Sequence, residues 1–371
     1  MKYRLLDILL CNKCQKEFKV KVYKLKKVEF DSNFKIPNPA CNEYCGLKDV
    51  RIENDSGISK ILDCLSCYSK EIIDGILFCP CGTTYPLYKT IPRLLPKDLI
   101  DPEYFLKYPE DLISKNSSKT SQLIRTKKTF DIEWTHFSYK DEIYGHTQQE
   151  EELDFIKRVR FKKKNFENKL LLDAGCGIGR LIENLDKFGI ESVGVELSSG
   201  IDNACSESNL KKRIHFIQGN ITDLPVKPEV FDLIYSKGVL HYTFDAKKTF
   251  KNLSKLLKKR GVISVTIYPR LPFLFNLLNK VARSLSLILP PKAIYYFSFV
   301  ITPLFPMAWK LSGFPSRKIS TEERAHMVFN WFSSEYQNFH SREEVIGWFE
   351  ENGFSEIEAF ASPMGVTGRR L

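Results

Sequence analysis

The sequence has no apolar run long enough to suggest a membrane span. The charge-free stretch at its most apolar region, Ala293–Trp309, is 17 residues long and holds two prolines, whereas a spanning helix needs about 20 apolar residues. Lys280, Arg283 and Lys292 break the segment before it. A secretory leader is not expected either. Met1-Lys-Tyr-Arg-Leu-Leu-Asp-Ile-Leu-Leu10 is basic and then apolar, but Asp7 and the cysteines behind it interrupt the pattern. Cysteine is sparse over most of the chain: eight of the ten fall before residue 82. That grouping points to metal-bound or free thiols and away from a disulfide framework. The basic residues are not gathered with aromatics into an RNA-stacking platform. The net charge is nevertheless +11. Lysines spread through nearly every segment suit a solvated surface, and a basic surface also suits nucleic acid or anionic lipid headgroups. With 371 residues, 43% hydrophobic and 27% charged, two domains or one large domain with an appendage are expected.

The most informative stretch is Leu170-Leu-Leu-Asp-Ala-Gly-Cys-Gly-Ile-Gly-Arg180. An apolar strand runs into Asp173. A turn with Gly175, Gly177 and Gly179 follows, then the amphipathic segment Leu181–Phe188. Glycines let a ligand approach the backbone, and the helix start offers unpaired N–H groups. Dinucleotide folds use a similar turn. The acid before the first glycine narrows the choice, since it can accept from an ammonium. Glu191-Ser-Val-Gly-Val-Glu196 reads as a second strand ending in a carboxylate, 23 residues after Asp173. A third strand begins Ile214-His-Phe-Ile-Gln-Gly-Asn220, a fourth is Phe231–Ser236, and a fifth is Val262–Tyr268 after the turn Lys258-Lys-Arg-Gly261.

These motifs, in this order, resemble the class I S-adenosylmethionine (SAM) methyltransferases of the type 11 kind, over about Trp134–Tyr268. The resemblance implies an α/β, Rossmann-like, seven-stranded fold. It places the SAM amino acid at Asp173, Gly175, Cys176, Gly177 and Gly179, the ribose at Glu196 and Leu197, and the adenine at Asn220 and Ile221, with Ser236 also at the cofactor. Asn220 stands where the family often has Asp, and Arg260 where a second glycine is common. In such methyltransferases a Phe-x-x-Glu-Trp-like segment, here Phe130–Trp134, precedes the core. It resembles a flap over the cofactor; packing of Trp134 and Phe137 on the first helix is the alternative.

The head holds four close cysteine pairs: Cys11 and Cys14, Cys41 and Cys45, Cys64 and Cys67, Cys79 and Cys81. Tight turns of this kind aim two thiolates at one tetrahedral ion, and eight ligands suit two closed, structural zinc sites. Asp74-Gly75 between apolar runs signals a hairpin turn. The hairpin would bring Cys64 and Cys67 beside Cys79 and Cys81, a zinc-ribbon-like unit, and leave Cys11, Cys14, Cys41 and Cys45 for the second ion. This sequential pairing is the favoured expectation. Leu5–Cys11 and Gly75–Cys79, with Tyr85-Pro-Leu and Ile91–Pro96, also resemble the two halves of a small zinc-binding family that includes the activator subunit of tRNA and translation-factor methyltransferases. That resemblance implies the crossed alternative, Cys11 and Cys14 with Cys79 and Cys81.

The domain reading is a zinc-binding domain over 1–98, a linker over 99–130, a SAM-binding core over 131–270, an apolar helical cap over 271–325 and the rest of the core over 326–371. Ligands of open α/β sheets sit beyond the carboxyl ends of the strands. Asn-Pro-Pro-Tyr is absent, and so is a Pro-Cys pair within the core; nucleobase methylation of those two kinds is disfavoured. His241 is the candidate catalytic base, with a structural role at the cofactor as its competitor. Tyr268, Tyr336, Gln337 and His340 are candidate acceptor contacts. Ser341, Glu344 and Gly353 delimit a helix; Phe354–Phe360 reads as a closing strand and Thr367–Leu371 as a frayed end.

The function expected is methyl transfer from SAM to a small or lipid-linked acceptor, with two structural zinc ions. The alternatives are a zinc-headed RNA methyltransferase and a non-catalytic SAM-binding scaffold whose head binds a partner protein. The apolar segment 271–311 is read first as a cap and next as a membrane-surface contact. A cytoplasmic location, peripheral to a membrane in the second case, goes with this reading.

Overall fold

In the computed structural model the described residues are 1–29, 40–52, 62–111, 120–136, 142–161, 165–207, 213–304, 319–361 and 363–371. The N-terminal part forms helix α1 (Leu5–Ile8), strands β1 (Lys19–Lys27), β2 (Tyr44–Cys45) and β3 (Val50–Arg51), helix α2 (Cys64–Ser69), strands β4 (Lys70–Phe78), β5 (Thr84–Tyr88) and β6 (Ile91–Leu94), and helix α3 (Pro102–Lys107). Helix α4 (Thr120–His136), the short hairpin β7 (Glu142–Ile143) and β8 (His146–Thr147), and helix α5 (Gln148–Val159) lead to the core. The core alternates β9 (Leu170–Ala174), α6 (Arg180–Leu185), β10 (Glu191–Glu196), α7 (Gly200–Glu207), β11 (Ile214–Gly219), β12 (Phe231–Lys237), α8 (Ala246–Lys255) and β13 (Leu257–Thr266). Helices α9 (Phe273–Ser286), α10 (Pro291–Ile301), α11 (Thr321–Ser333) and α12 (Arg342–Glu351) follow, then β14 (Phe354–Phe360) and β15 (Gly365–Arg370).

Strand β9 is buried at every position, as a parallel strand covered on both faces requires. It lies between β10 and β12 in an eleven-stranded sheet of order β1-β4-β5-β6-β11-β10-β9-β12-β13-β15-β14. The seven strands from β11 to β14 form a Rossmann-like arrangement: five parallel strands closed by the antiparallel pair β15 and β14. The C-terminal residues are therefore not frayed. Val366 and Thr367 are buried, because β15 is inserted between β13 and β14. The helix expected before it has both halves of its capping box: the Glu344 N–H donates to Ser341 Oγ and the Ser341 N–H to the Glu344 carboxylate.

The cysteine-rich head is not set apart from this sheet. β6 pairs in parallel with β11, Arg93 opposite Gln218 and Leu94 opposite Gly219. The seam is reinforced on both sides. Arg93 bonds Asp202 at 2.5 Å and Gln218 at 3.0 Å, and Arg4 and Tyr68 converge with His215 on Glu191. Burial alone would raise the Glu191 carboxyl, but Arg4, His215 and Tyr68 together hold it at about 2. The stretch read as a linker contains α3 and the first half of α4, so it is structured on both sides of 112–119, which fall outside the described residues.

The Asp74-Gly75 turn does not form. Both residues lie inside β4, which pairs with β1 on one side and β5 on the other. The glycine is required there because a Cβ at residue 75 would come within 2.5 Å of the Lys21 carbonyl oxygen. Asp74 is buried and accepts hydrogen bonds from Lys107, Tyr108 and the Lys89 N–H. A strand of nine residues spans up to about 30 Å, and the register shifts opposite Asp74 do not turn the chain back, so Cys64 and Cys67 before it do not join Cys79 and Cys81 after it. The sequential pairing is overturned for this reason, and the crossed arrangement is the one formed.

Candidate active site

Beyond the carboxyl ends of β9, β10 and β12 lies a cavity of about 1230 Å³, larger than the usual single-ligand pocket. One end is built by the glycine turn. Gly175 and Gly177 adopt left-handed backbone conformations, φ +90° and +54°. The turn is tied to β10, with the Gly175 N–H donating to Val195 O at 2.8 Å and the Gly177 N–H to Glu196 Oε2 at 3.1 Å. The other Glu196 oxygen accepts from the Ser198 N–H and hydroxyl. Asp173, Gly175, Cys176, Gly177, Glu196, Leu197, Asn220 and Ile221 line this end together. Asn220 Oδ1 also accepts from the Thr222 N–H at 3.0 Å, which fixes the side chain in its own turn. Two residues of the expected set lie elsewhere. Gly179 faces Ala204 and Phe216, and Ser236 is fully buried, donating to Ala174 O at 2.8 Å.

Helix α4 forms the roof. Asp131 accepts from the Ser199 N–H and hydroxyl at 2.7 and 2.9 Å, which seats Trp134 against Gly177 and Gly200. Phe137 lies outside the described residues. Glu133, a member of the same segment to which the sequence reading gave no role, lines the cavity and is buried. One of its oxygens accepts from Tyr144 Oη at 2.6 Å and Asn330 Nδ2 at 2.8 Å; the other has no hydrogen-bond partner among the described residues. Its sequence signal was the Phe-x-x-Glu-Trp spacing, but the partners come from 11 and 197 residues away.

The far end is aromatic. Tyr242 and Tyr268 share a hydrogen bond of 2.7 Å. Tyr268 stacks with His241 at 3.7 Å between ring centres and packs beside Trp331 and Phe339. Phe275, Leu278 and Ala282 of α9, and Tyr336, complete this wall. Among the described residues neither His241 ring nitrogen has a hydrogen-bond partner, and burial, with His340 adding to it, pushes its pKa down to about 3. Gln337 and His340 do not line the cavity. Gln337 accepts from Asn279 at 2.9 Å. His340 packs on Trp348 and bridges through its backbone to Pro269 and Arg270.

Three buried carboxyls of the cavity have raised proton affinity. Burial pushes the Asp173 carboxyl up to about 7, with Glu151 and Glu196 adding to the shift and Lys237 opposing it. Burial likewise takes Glu133 to about 7 against its hydrogen bonds from Tyr144 and Asn330. Glu196 is raised by burial against donors from Ser198 and Gly177. Among the described residues none of the three forms an ion pair with a cation, so the site suits a positively charged ligand.

In the head, Cys11, Cys14, Cys79 and Cys81 bring their four Sγ atoms within 4.8 Å of one another. The Sγ distances are 3.1 Å for Cys14 to Cys79 and 3.6 Å for Cys11 to Cys81 and Cys79 to Cys81. Zinc–sulfur bonds of about 2.3 Å at tetrahedral angles put sulfurs about 3.8 Å apart, so the donor set fits zinc with slight expansion. Cys41 is near enough to Cys45 and Cys67, and Cys67 to Cys45 and Cys64, for their charges to interact, but the four do not form a comparably tight group among the described residues.

Residues 172–265 match the family model described as a methyltransferase domain. Phosphoethanolamine N-methyltransferase 2 of Caenorhabditis elegans is 29% identical to the chain over 123 residues, 32% of this chain and 28% of that one. Ubiquinone biosynthesis O-methyltransferase of Coxiella burnetii (strain RSA 331 / Henzerling II) is 29% identical over 167 residues, covering 43% and 71%. Among solved structures, magnesium protoporphyrin IX methyltransferase from Synechocystis PCC 6803 with bound SAH has a TM-score of 0.42 at 16% identity, over 66% of this chain and 98% of that one. The chain spans about a quarter of the length of the first curated relatives it matches. The relatives differ in the acceptors their names state.

Proposed function

We propose that the chain transfers a methyl group from SAM to a small or lipid-linked acceptor. The observation that carries this reading is the set of buried carboxylates, without an ion pair among the described residues, beside the left-handed glycine turn, at the point where the sheet order reverses. SAM is a cation at its ammonium and sulfonium. Asp173 would accept from the ammonium, the backbone at Gly175 and Gly177 would face the amino-acid carboxylate, Glu196 would accept from the ribose hydroxyls, and Asn220 and Ile221 would flank the adenine. Trp134 shields this end from water. When bound, the sulfonium supplies a methyl carbon already activated toward nucleophiles, so holding the acceptor in line supplies most of the catalysis.

The acceptor end is apolar and aromatic, which favours an apolar or lipid-linked acceptor over RNA. Glu133 is placed to take the proton of an acceptor hydroxyl, since its unpartnered oxygen is near neutrality in affinity for a proton. His241, with its low pKa and stacked ring, serves better as a packing wall for Tyr268. In the head, zinc at Cys11, Cys14, Cys79 and Cys81 would be structural, because four thiolates close the coordination sphere. A second zinc is assigned to Cys41, Cys45, Cys64 and Cys67.

Calorimetric titration of the zinc-loaded protein with SAM and with S-adenosylhomocysteine (SAH) tests the reading. Saturable binding of both is expected, followed by methyl transfer in a screen of apolar and lipid-linked acceptors. A folded protein that binds neither would overturn it.

A further inference from the structure

Helix α9 is amphipathic with the wrong side out. Three of its polar residues face the protein: Asn279, Arg283 and Ser286. Asn279 bonds Gln337 at 2.9 Å and accepts from Trp331 Nε1 at 2.6 Å. Arg283 is buried and donates to the Trp331 and Ser334 carbonyls. Ser286 donates to Phe332 O at 2.8 Å. At the end of the helix Arg125 holds the Leu287 and Leu289 carbonyls at 3.0 Å each. The apolar residues face outward: Phe273 is 85% exposed, Leu274 62%, Leu285 64% and Ile288 78%. Helix α10 continues the surface. Its inner residues Ile294 and Tyr295 pack with Phe329 of α11, while Tyr296, Phe297 and Val300 stay exposed. Surface helices normally turn their apolar stripe to the core, and soluble monomers do not leave apolar patches of this extent in water.

The charge on this part of the chain has one sign. From Phe273 to Ile301 the basic residues are Lys280, Arg283 and Lys292, and there is no aspartate or glutamate. Lys280 and Lys292, both exposed, flank the apolar surface. No described helix is long and apolar enough to cross a membrane. Apolar residues with basic flanks and no acid are the composition of a helix lying in the interface of an anionic bilayer. Such a surface would repel a second copy of itself through Lys280 and Lys292, which form no ion pair among the described residues. The outward face is also continuous with the cavity, since Phe275, Leu278 and Ala282 of the same helix line it.

We propose that α9 and α10 dock this protein on an anionic lipid bilayer, and that the acceptor enters the cavity from the bilayer along α9. The docking stands on the exposed surface alone; the acceptor's route rests on the methyltransferase reading above. Lipids would surround Phe273, Leu274, Leu285 and Ile288, while Lys280 and Lys292 reach the headgroups. The polar bonds of Asn279, Arg283 and Ser286 would keep the helix on the protein rather than letting it leave into the membrane.

The test is flotation of the full chain with vesicles of phosphatidylcholine and phosphatidylglycerol, comparing the natural sequence with the double variant Leu274→Glu, Leu285→Glu. Neither residue lines the cavity. SAH affinity is measured on both proteins, and light scattering gives their mass. The natural protein should float, and the double variant should partition at least roughly tenfold less with SAH affinity unchanged. Two outcomes would overturn docking: a natural protein that binds SAH yet stays in solution, or a double variant that floats equally well. A dimer that the double variant dissolves, without flotation, would assign the face to a second copy and overturn it as well. Flotation with no SAH binding would uphold docking and remove the methyltransferase reading, so the two fail separately.

Discussion

The indole of Trp134 lies so close over Gly177 that a Cβ at residue 177 would sit 2.6 Å from its Cζ2. The turn that receives the ligand and the helix that roofs it are therefore fitted to each other without room for a methyl group. Gly177→Ala should push Trp134 off the turn and also strain a backbone at φ +54°. The expected result is SAH binding weakened by at least about tenfold, with circular dichroism of the fold retained.

Among the described residues Asp173 forms no ion pair, and Lys237 offsets its burial only in part. Asp173→Asn should abolish detectable SAM and SAH binding, because a charge-assisted acceptor is lost from a buried site. The thermal midpoint of the ligand-free variant at mildly alkaline pH should equal or exceed that of the natural protein, since an only partly compensated buried charge has been removed. A variant that binds SAH normally would sink the cofactor assignment.

The raised carboxyls give a pH dependence with a defined sign. Asp173 and Glu133, both near 7, are neutral well below that value and charged above it. In the ligand-free protein the neutral forms contribute stability at low pH, and this is lost as pH rises through about 7. Cation binding runs the other way, since it needs the charged form. SAM affinity should therefore climb as pH rises toward about 7, by about tenfold per unit for each group that must ionise, and level off above it. Calorimetry across this window checks the slope; a flat profile would mean that neither group meets the ligand's charge.

Glu133 and His241 can be separated by substitution. Glu133→Gln should keep SAH affinity and lower turnover by roughly 10²-fold or more if the acceptor is a hydroxyl. His241→Phe, which preserves the ring against Tyr268, should leave turnover within a few-fold. The reverse pattern would return the base role to His241.

Zinc at the crossed thiols should be coupled to the whole sheet, because β6 carries the head into β11. Cys79→Ser should lower bound zinc by one ion per chain and lower the thermal midpoint of the entire chain in one transition. A separate early transition for the head alone would show that the seam is weak. Metal analysis of the natural protein should give two zinc ions; a single ion would leave Cys41, Cys45, Cys64 and Cys67 as thiols.

Local chemistry was legible in the chain. Asp173, the glycine turn and Glu196 could be read because strand, turn and helix follow within a few residues, and each is dictated by short-range sterics and hydrogen bonding. The capping box at Ser341 and Glu344 was readable for the same reason. Other features depended on partners far away in sequence. Asp74-Gly75 has the composition of a turn, yet flanking strands β1 and β5 capture it within a strand, and that one difference decides which cysteines meet. Glu133 looks like any helical glutamate until Tyr144 and Asn330 arrive from other elements. Tail residues Val366 and Thr367 carry no strong signal, and they become core because β13 and β14 leave a gap of one strand between them. Helix α9 reads as an apolar cap from its residues alone. Only the packing of Asn279, Arg283 and Ser286 against α11 and the segment after it settles which side faces out, since a helix's composition sets how apolar it is and its neighbours' hydrogen bonds set its rotation.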